Sequence, residues 1–378
     1  MNTSKITGIS KLVSFALIAV FLIIAVGFAA SGWQSDTEHE PDSGENGQQT
    51  ENTDENKDGS PNDGTDQNGS TGSVDVAVPK YYSYLTGLEI SEEDSRRKPI
   101  AFVIDPASPT YAISSAELAV ELPIENGETK MVVYTPNISL LGKIGSLAAS
   151  RPYISKMQDF FGGIFVYNGM SPDATEYFAA WEAKDACLNL KDVTGYCYTE
   201  NTLYVYTNGD LISAGLNNSS ISTALRESPS LPFEHKSETV SATVGTESAK
   251  TVVIPYSNSN ETHLYYSEED GLYTYSKSGT AVVDLLNAKT VKFKNAFILF
   301  ADCKMYYTAS GTSFEMNTAG EGEGYYVSEG TLTNIRWSLN ADGELTFTTE
   351  SGERIVAECG SSYIGYFIST NKDQVKVQ

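Results

Sequence analysis

Histidine, cysteine and basic residues are all scarce in this chain of 378 residues. It has 3 histidines, 4 cysteines and 25 lysines and arginines, against 49 aspartates and glutamates, which gives a formal net charge of −24. So few histidines exclude a His-rich metal centre and leave no clear candidate for a His-dependent triad. We therefore predict no metal site and no cofactor, and we assign no catalytic residue. The acidic balance disfavours nucleic acid and anionic lipid, because both are recognised with an excess of Lys and Arg.

The four cysteines include no Cys-x-x-Cys pair, so neither a zinc ribbon nor a thioredoxin-like site is indicated. Disulfides are permitted outside the cytoplasm. Cys187 and Cys197 are close enough in sequence for a local bridge, and Cys303 with Cys359 is the other candidate pair. The connectivity stays open, because sequence alone cannot choose among the pairings.

A long apolar run occupies residues 12–30. As a helix, its 19 residues would span about 28 Å, which is close to the hydrocarbon thickness of a bilayer. Lys5 and Lys11 precede the run, so residues 1–11 are expected in the cytoplasm and the folded domains outside it. We predict a single-pass anchor in the cell membrane. A cleaved signal peptide is the alternative, because small residues end the run.

Residues 31–80 are acidic and rich in Gly, Ser, Asn and Thr. Almost none of them can be buried, so the entropy cost of ordering them is not compensated, and we predict a disordered acidic tether. About 50 flexible residues reach on the order of 40 Å, which would let the folded part work away from the membrane. A solvated tail with no task is the alternative interpretation.

Residues 81–230 alternate strand-like and helix-like segments, which predicts an α/β domain with a mostly parallel or mixed sheet. Strands are expected at 98–105, 130–134, 163–167 and 202–206, and helices at 114–122, 151–161, 171–181 and 219–226. The helix at 114–122 depends on a capping-box spacing between Ser114 and Glu117. It would place Glu117, Glu121 and Glu125 on one solvated acidic face, with carboxylates for glycoside chemistry as the alternative.

A Pro- and Ser-rich break at 227–238 separates this domain from the rest of the chain. Beyond it, short strand-like segments divided by Gly, Asp and Asn turns predict a β-rich domain at residues 239–370. The Gly-rich stretch 320–324 has no lysine for a phosphate loop, and we interpret it as a turn. The fold class expected for the whole folded part is α+β.

Several motifs spread over residues 85–367 resemble the YerB-like family, a bacterial domain-of-unknown-function family whose members are described as lipoproteins. The most specific are SRPY at 150–153 and Ser171-Pro172; others include RKPIAFVID at 97–105, KNAFI at 294–298 and GEGYYV at 322–327. The resemblance implies an N-terminal and a C-terminal domain.

The chain also departs from the family pattern. The lipobox cysteine is absent near residue 30, where a membrane helix would replace the lipid. Positions that carry polar groups in the family hold Pro106, Ala148, Tyr167 and Val282 here, although Asp284 remains. If those polar groups form a ligand pocket in relatives, this chain has lost much of it.

A candidate ligand site follows from these segments. Asp105 ends a predicted central strand, where α/β sheets place ligands, although a turn or cap is the alternative role. Arg151 lies at a helix start, where a cation opposes the helix dipole, so it needs a carboxylate partner or an anionic ligand. The remaining candidates lie in adjoining loops or follow from the resemblance: Tyr153, Tyr167, Asn168, Ser171, Asp173 and Asp284. For Ser171, a helix cap is a sufficient explanation.

These features together predict a membrane-anchored, extracytoplasmic, non-catalytic binding or scaffold module of the bacterial cell envelope. Its expected partner is a cell-wall component or another envelope protein. The alternative is an enzyme, or a degenerate enzyme, that acts on wall polysaccharide or peptide through Asp105 and Arg151.

Overall fold

The computed structural model describes residues 79–171, 186–191, 194–308 and 311–378. The predicted anchor, nearly all of the predicted tether and the helix expected at 171–181 lie outside these residues, apart from Ser171 itself. Within the described part of the chain, no helix has both the length and the apolar character needed to span a bilayer.

Helices are few and short. The four described are α1 (Glu92–Ser95), α2 (Pro152–Ser155), α3 (Met157–Phe161) and α4 (Gly209–Asn217). The longest, α4, begins where the side chain of Asn208 accepts a hydrogen bond from the Leu211 amide at 2.8 Å, which satisfies one of the free N–H groups of its first turn.

Strands dominate the rest of the chain. Those before residue 230 are β1 (Tyr81–Tyr82), β2 (Glu89–Ile90), β3 (Ile100–Ile104), β4 (Leu118–Pro123), β5 (Thr129–Thr135), β6 (Ile144–Gly145), β7 (Ile164–Tyr167), β8 (Cys187–Asn189), β9 (Tyr198–Glu200) and β10 (Tyr204–Thr207). Those between residues 230 and 294 are β11 (Glu234–His235), β12 (Glu247–Ser248), β13 (Thr251–Ser257), β14 (Asn260–Ser267), β15 (Leu272–Lys277), β16 (Thr280–Ala281), β17 (Val283–Asp284), β18 (Lys289–Thr290) and β19 (Lys292–Phe293). The last are β20 (Asn295–Ala301), β21 (Cys303–Thr308), β22 (Gly311–Met316), β23 (Glu321–Ser328), β24 (Thr331–Leu339), β25 (Leu345–Thr349), β26 (Val356–Ala357), β27 (Ser362–Ile368) and β28 (Lys376–Val377).

One eleven-stranded sheet runs through the molecule in the order β12-β24-β23-β20-β27-β4-β5-β3-β7-β8, with β25 paired to β24. The pairs β20–β27, β27–β4, β3–β7 and β7–β8 are parallel, and the other pairs are antiparallel. The parallel pair β27–β4 joins strands from the N-terminal and C-terminal parts of the fold, with Ser362 opposite Leu118 and Gly365 opposite Glu121. The described residues accordingly belong to one compact unit.

The central sheet has a hydrophobic core on each face. Along β3, Ala101 and Val103 belong to one core, and Phe102 and Ile104 belong to the other. A second, six-stranded antiparallel sheet (β16-β15-β14-β13-β28, with β19 paired to β15) supplies apolar side chains to the core that contains Phe102. Strands buried on both faces read as nearly continuous apolar runs, as the sequence of β3 does. The predicted mixed sheet in the N-terminal part and β-rich C-terminal part are confirmed.

Two predicted helices are wrong. The helix expected at 114–122 is a short 3-10 turn (Ile113–Ser115) followed by β4, and residues 219–226 form no helix. In β4 all six residues are buried, so pairing and burial outweigh the capping-box spacing that favoured a helix. The acidic helix face expected for Glu117, Glu121 and Glu125 therefore does not form.

The Gly-rich stretch 320–324 is also different from the predicted turn, because most of it belongs to β23. A Cβ atom on Gly322 would lie 2.3 Å from the Phe300 carbonyl oxygen and 2.6 Å from Nε1 of Trp337. The glycine is needed for this close approach, which leaves room for the Trp337 indole to donate a hydrogen bond to Phe300 at 3.1 Å.

Candidate functional site

Asp105 follows β3 and is held from two sides. Its Oδ1 accepts a hydrogen bond from the Ala107 amide at 3.0 Å, which shapes the turn, and its Oδ2 lies 2.9 Å from Nζ of Lys130. The register of β3 and β5 pairs Ile104 with Met131, so the next residue on each side brings Asp105 opposite Lys130. The structure thus places Asp105 in a turn and in a cross-strand ion pair.

Arg151 stands at the start of α2, with Pro152 in the first turn of that helix. Its carboxylate partner is Glu125, which accepts from Nε at 3.1 Å and from Nη2 at 2.8 Å. Both side chains are more than four-fifths buried. Burial acts to raise the pKa of Glu125, but the hydrogen bond and charge of Arg151 together with backbone hydrogen bonds outweigh it, and the pKa of Glu125 is lowered.

The neighbouring candidates are mostly buried in the walls of this region. The Tyr153 hydroxyl donates to the Pro123 carbonyl at 2.9 Å, and Tyr167 ends β7 with its ring against Phe165. The backbone amides of Asn168 and Ser171 donate to the carbonyls of Ala148 and Ser150, at 3.1 Å each. Asp173 lies outside the described residues.

Asp284 is completely buried and serves a different part of the molecule. Its Oδ1 accepts from the amides of Ala112 at 3.0 Å and Leu286 at 2.8 Å. Its Oδ2 accepts from the amide of Ser114 at 2.8 Å and from the Ser114 hydroxyl at 2.6 Å. These hydrogen bonds connect β17 to the turn that precedes β4. Asp105 and Arg151 instead form ion pairs with residues of the β4–β5 hairpin.

Arg151 lies beside the base of the β21–β22 hairpin. The ring of Phe314 in β22 packs edge-on to Tyr153, with 6.0 Å between the ring centroids, and the Phe314 backbone amide hydrogen-bonds to Glu125. A polar cleft of about 340 Å³ opens at this base; it is lined by Lys156, Asp302, Lys304, Glu315, Met316 and Asn317. The two lysines and two acids give the cleft both signs of charge.

The hairpin also exposes apolar side chains. Met305 is 73% exposed and Tyr307 is 90% exposed, and both belong to β21. Exposed apolar side chains close to a charged cleft are typical of surfaces that bind a partner. The cleft and the hairpin together are the candidate binding site. Of the predicted residues, Tyr153 contacts Phe314 of the hairpin and Arg151 is paired with Glu125 nearby, but neither lines the cleft.

The sequence analysis placed Glu121 on a solvated face, whereas among the residues that the structure describes it is the carboxylate with the most hydrogen bonds. Glu121 of β4 is 0% exposed and accepts five hydrogen bonds, from Lys277 and Thr129 to Oε1 and from Thr262, Tyr275 and Tyr363 to Oε2, at 2.7–3.1 Å. Its ion-pair partner Lys277 is 12% exposed.

Burial acts to raise the pKa of Glu121, but the charge and hydrogen bond of Lys277 and the hydroxyl donors outweigh it, so the pKa is lowered. Glu121 is the single acid within the apolar run of β4. A single acid within an apolar strand is the sequence feature that could have indicated this network. An ionised side chain between buried residues requires partners inside the protein.

Neither expected disulfide forms in the structure. Cys197, Cys303 and Cys359 are free thiols in it, and the two pairings stay predictions. The thiol of Cys359 donates to the Lys236 carbonyl at 3.3 Å instead. Burial raises the pKa of Cys187 to about 12, so its thiol stays protonated. Among residues that the structure describes, no group of three or more His, Cys, Asp or Glu side chains could hold a metal ion.

Comparison with known proteins assigns both halves of the chain to one family. Residues 85–222 match the N-terminal domain, and residues 252–364 the C-terminal domain, of "Protein of unknown function (DUF3048)". The crystal structure of the YerB protein from Bacillus subtilis is similar, with a TM-score of 0.67 and 20% sequence identity over 79% of this chain and 100% of that one. At this identity the likeness shows the fold alone. No curated protein matches the chain.

Proposed function

The chain belongs to the DUF3048 family of YerB-like proteins, and from this premise we propose that it is a membrane-anchored binding or scaffold module of the bacterial cell envelope. The apolar run at residues 12–30 would anchor it, and the acidic segment after it would act as a tether. The folded residues would then face the wall outside the cytoplasm.

The cleft at the base of the β21–β22 hairpin is the observation that carries this proposal. Lys156 and Lys304 face the same cavity as Asp302 and Glu315, so the cleft offers donors and acceptors of both charges. A wall peptide carries amine and carboxylate groups together and fits this lining. The cavity of about 340 Å³ lies in the range of small-ligand pockets, which suits a short peptide segment.

The polar groups expected to form a reacting site support a binding role. Asp105 pairs with Lys130, and Arg151 forms two hydrogen bonds with Glu125. In this arrangement both side chains hold the β4–β5 hairpin to its neighbours, and the exposed charges of the cleft remain to meet a partner.

Binding is tested with the full chain in detergent and purified wall sacculi in a co-sedimentation assay. We expect Lys304→Ala to weaken sedimentation at least fivefold, because it removes an exposed cation from the cleft. The matched control is Lys289→Ala, an exposed lysine of β18 outside the cleft, which should bind like the wild type. Equal binding by all three proteins would reject the cleft, and no binding would reject the wall as partner.

Placement is tested separately. Protease added to intact cells should digest the region after residue 32 and leave a short fragment that contains residues 12–30. Full protection in intact cells, with digestion after lysis, would reject the proposed orientation. Crosslinking in intact cells to another envelope protein, without binding to sacculi, would favour the protein partner over the wall.

A further inference from the structure

A second site lies in the small sheet β6-β10-β9, where three elements enclose one ammonium group. Nζ of Lys143 lies 4.1 Å from the ring centroid of Tyr111 and 4.0 Å from that of Tyr206. Oε2 of Glu200 lies 2.8 Å from the same nitrogen. Two aromatic rings and a carboxylate around one cation are the elements of a cage that recognises ammonium groups.

The cage is built by backbone pairing that does not involve the lysine side chain. Tyr206 of β10 pairs with Gly145 of β6 and with Tyr198 of β9, and Tyr111 forms an isolated bridge with Gly145. The rings of Tyr111 and Tyr206 meet edge to face, with their centroids 5.5 Å apart. Backbone pairing therefore holds the two tyrosines side by side, and their rings also contact each other directly.

Lys143 reaches the cage from a loop with room around it. It precedes β6, and a Cβ atom added to its neighbour Gly142 would have no heavy atom within 4 Å. Leu140 in the same loop is 85% exposed. The Lys143 side chain is 18% exposed and that of Glu200 is 46% exposed, so the ion pair borders solvent on the side of the carboxylate.

The rim of the cage is apolar and open. Leu203, in the turn between β9 and β10, is 75% exposed, and Tyr198 of β9 is 36% exposed beside the Tyr206 ring. Glu200 is about half exposed, so a partner can reach the carboxylate. An aromatic cage with a carboxylate and an apolar rim suits an alkylammonium group whose carbon chain lies on the rim.

The geometry points to this cage as a binding site for a primary alkylammonium group carried by a peptide partner, with Lys143 as an internal occupant that the partner displaces. The ligand is assigned as a primary ammonium because Lys143, the present occupant, carries one. That ammonium lies against the rings and donates a hydrogen bond to Glu200. Because Lys143 is tethered to the cage, it competes at high effective concentration, and a free ligand binds the wild type weakly.

The test uses the full chain and n-butylammonium, which reproduces the end of a lysine side chain, with binding followed by ligand-observed NMR. Lys143→Ala should lower the Kd for n-butylammonium at least tenfold relative to the wild type. Adding Glu200→Gln to that variant should abolish the gain, because the hydrogen-bond acceptor loses its charge. Lys250→Ala, which removes a surface lysine paired with Glu268, is the matched control and should bind like the wild type.

Binding of the Lys143→Ala protein within twofold of the wild type, with an unchanged near-UV circular dichroism spectrum, would overturn the inference. A gain that survives Glu200→Gln would overturn the cage as its location. If Lys143→Ala does not fold, Lys143→Gln, which keeps most of the side chain without the charge, is measured in its place. Failure of both variants to fold would also overturn the inference, because Lys143 would then be a structural clamp that no ligand displaces.

Discussion

Glu121 accepts hydrogen bonds from residues that are far apart in the sequence. Tyr363, which donates to its Oε2 at 2.8 Å, is 242 positions away in sequence, and Lys277 is 156 positions away. A carboxylate removed from water is stable only with near-complete pairing, because the desolvation of the ion must be offset within the protein. Five hydrogen-bond donors pair with the Glu121 carboxylate, so this one carboxylate helps to hold all five side chains in place.

Replacing Glu121 by glutamine should lower the free energy of unfolding by about 3 kcal/mol, because Lys277 would be left in a nearly buried site without its counter-charge. Urea unfolding at neutral pH measures this. Glu268→Gln, at an exposed pair with Lys250, is the control and should leave the midpoint unchanged.

Adding Lys277→Met to Glu121→Gln should recover part of the loss, because the second change removes the unpaired ammonium. If the double variant is no more stable than Glu121→Gln alone, the cost lies in lost packing or hydrogen bonds and not in the unpaired charge.

The lowered pKa of Glu121 also predicts how stability depends on pH. An unfolded glutamate has a pKa of about 4.3, and the folded pKa of Glu121 lies below its ordinary value. Its contribution to stability is therefore fully present above the unfolded pKa and is lost as the pH falls through the lowered folded value. Glu125 acts in the same direction, whereas burial raises the pKa of Glu117 and gives the opposite sign.

Urea midpoints measured from pH 7 to pH 3 should fall for the wild type, and they should fall less steeply for Glu121→Gln. The variant cannot release a proton at this position, so the corresponding part of the pH dependence disappears. Parallel curves for the two proteins would show that Glu121 has the same pKa in the folded and unfolded chain.

At the scale of elements, the Arg151–Glu125 pair joins three pieces of structure. Arg151 begins α2, Glu125 lies in the turn between β4 and β5, and the Phe314 amide of β22 also hydrogen-bonds to Glu125. The cation opposes the dipole of its own helix, so the carboxylate has to compensate for its position. The base of the β21–β22 hairpin, and with it the candidate cleft, depends on this arrangement.

Arg151→Lys should lower stability by about 1–2 kcal/mol, because lysine keeps the charge but cannot form the two-pronged contact with Glu125. Hydrogen exchange at the Phe314 amide should become faster in the variant. Arg96→Lys, at an exposed pair with Glu92, is the matched control. Unchanged exchange at Phe314 would mean that the hairpin base is held by the Tyr153–Phe314 contact and not by the ion pair.

For the whole molecule, the decisive feature is that one sheet uses strands from both family domains. The β27–β4 pair lies in the interior of that sheet, and the segment between the domains contributes Phe233, whose ring stacks on Phe297 with 4.8 Å between centroids. Separating the halves would expose two long sheet edges and both cores.

Residues 79–228 and 229–378, expressed separately, should therefore each be unfolded or aggregated, and the two should assemble when they are expressed together. The intact chain should unfold in a single transition followed by fluorescence and by circular dichroism. An independently folded fragment, with a cooperative transition of its own, would contradict this prediction.

Local sequence patterns determined much of the architecture. Apolar runs such as that of β3 predicted strands correctly, and short strands divided by Gly and Asn turns predicted the β-rich C-terminal part. They failed at β4, where a capping-box spacing and three glutamates at helical intervals favoured a helix. The strand forms because β5 and β27 pair with it, and β27 lies more than 200 residues further along the chain.

The candidate site could likewise be predicted from the sequence only in part. The sequence indicated that Arg151 requires a negative partner, since a cation at a helix start is unfavourable, but it could not identify Glu125. The Glu121 network, the cleft beside the hairpin and the cage around Lys143 depend on side chains brought together by long-range strand pairing. A local sequence pattern cannot predict these contacts. It reflects only the segment to which each side chain belongs, and the side chains meet only when strands far apart in the sequence pair. Composition and periodicity thus determined the class of fold, and tertiary structure alone decided which charges are buried, paired or exposed to a partner.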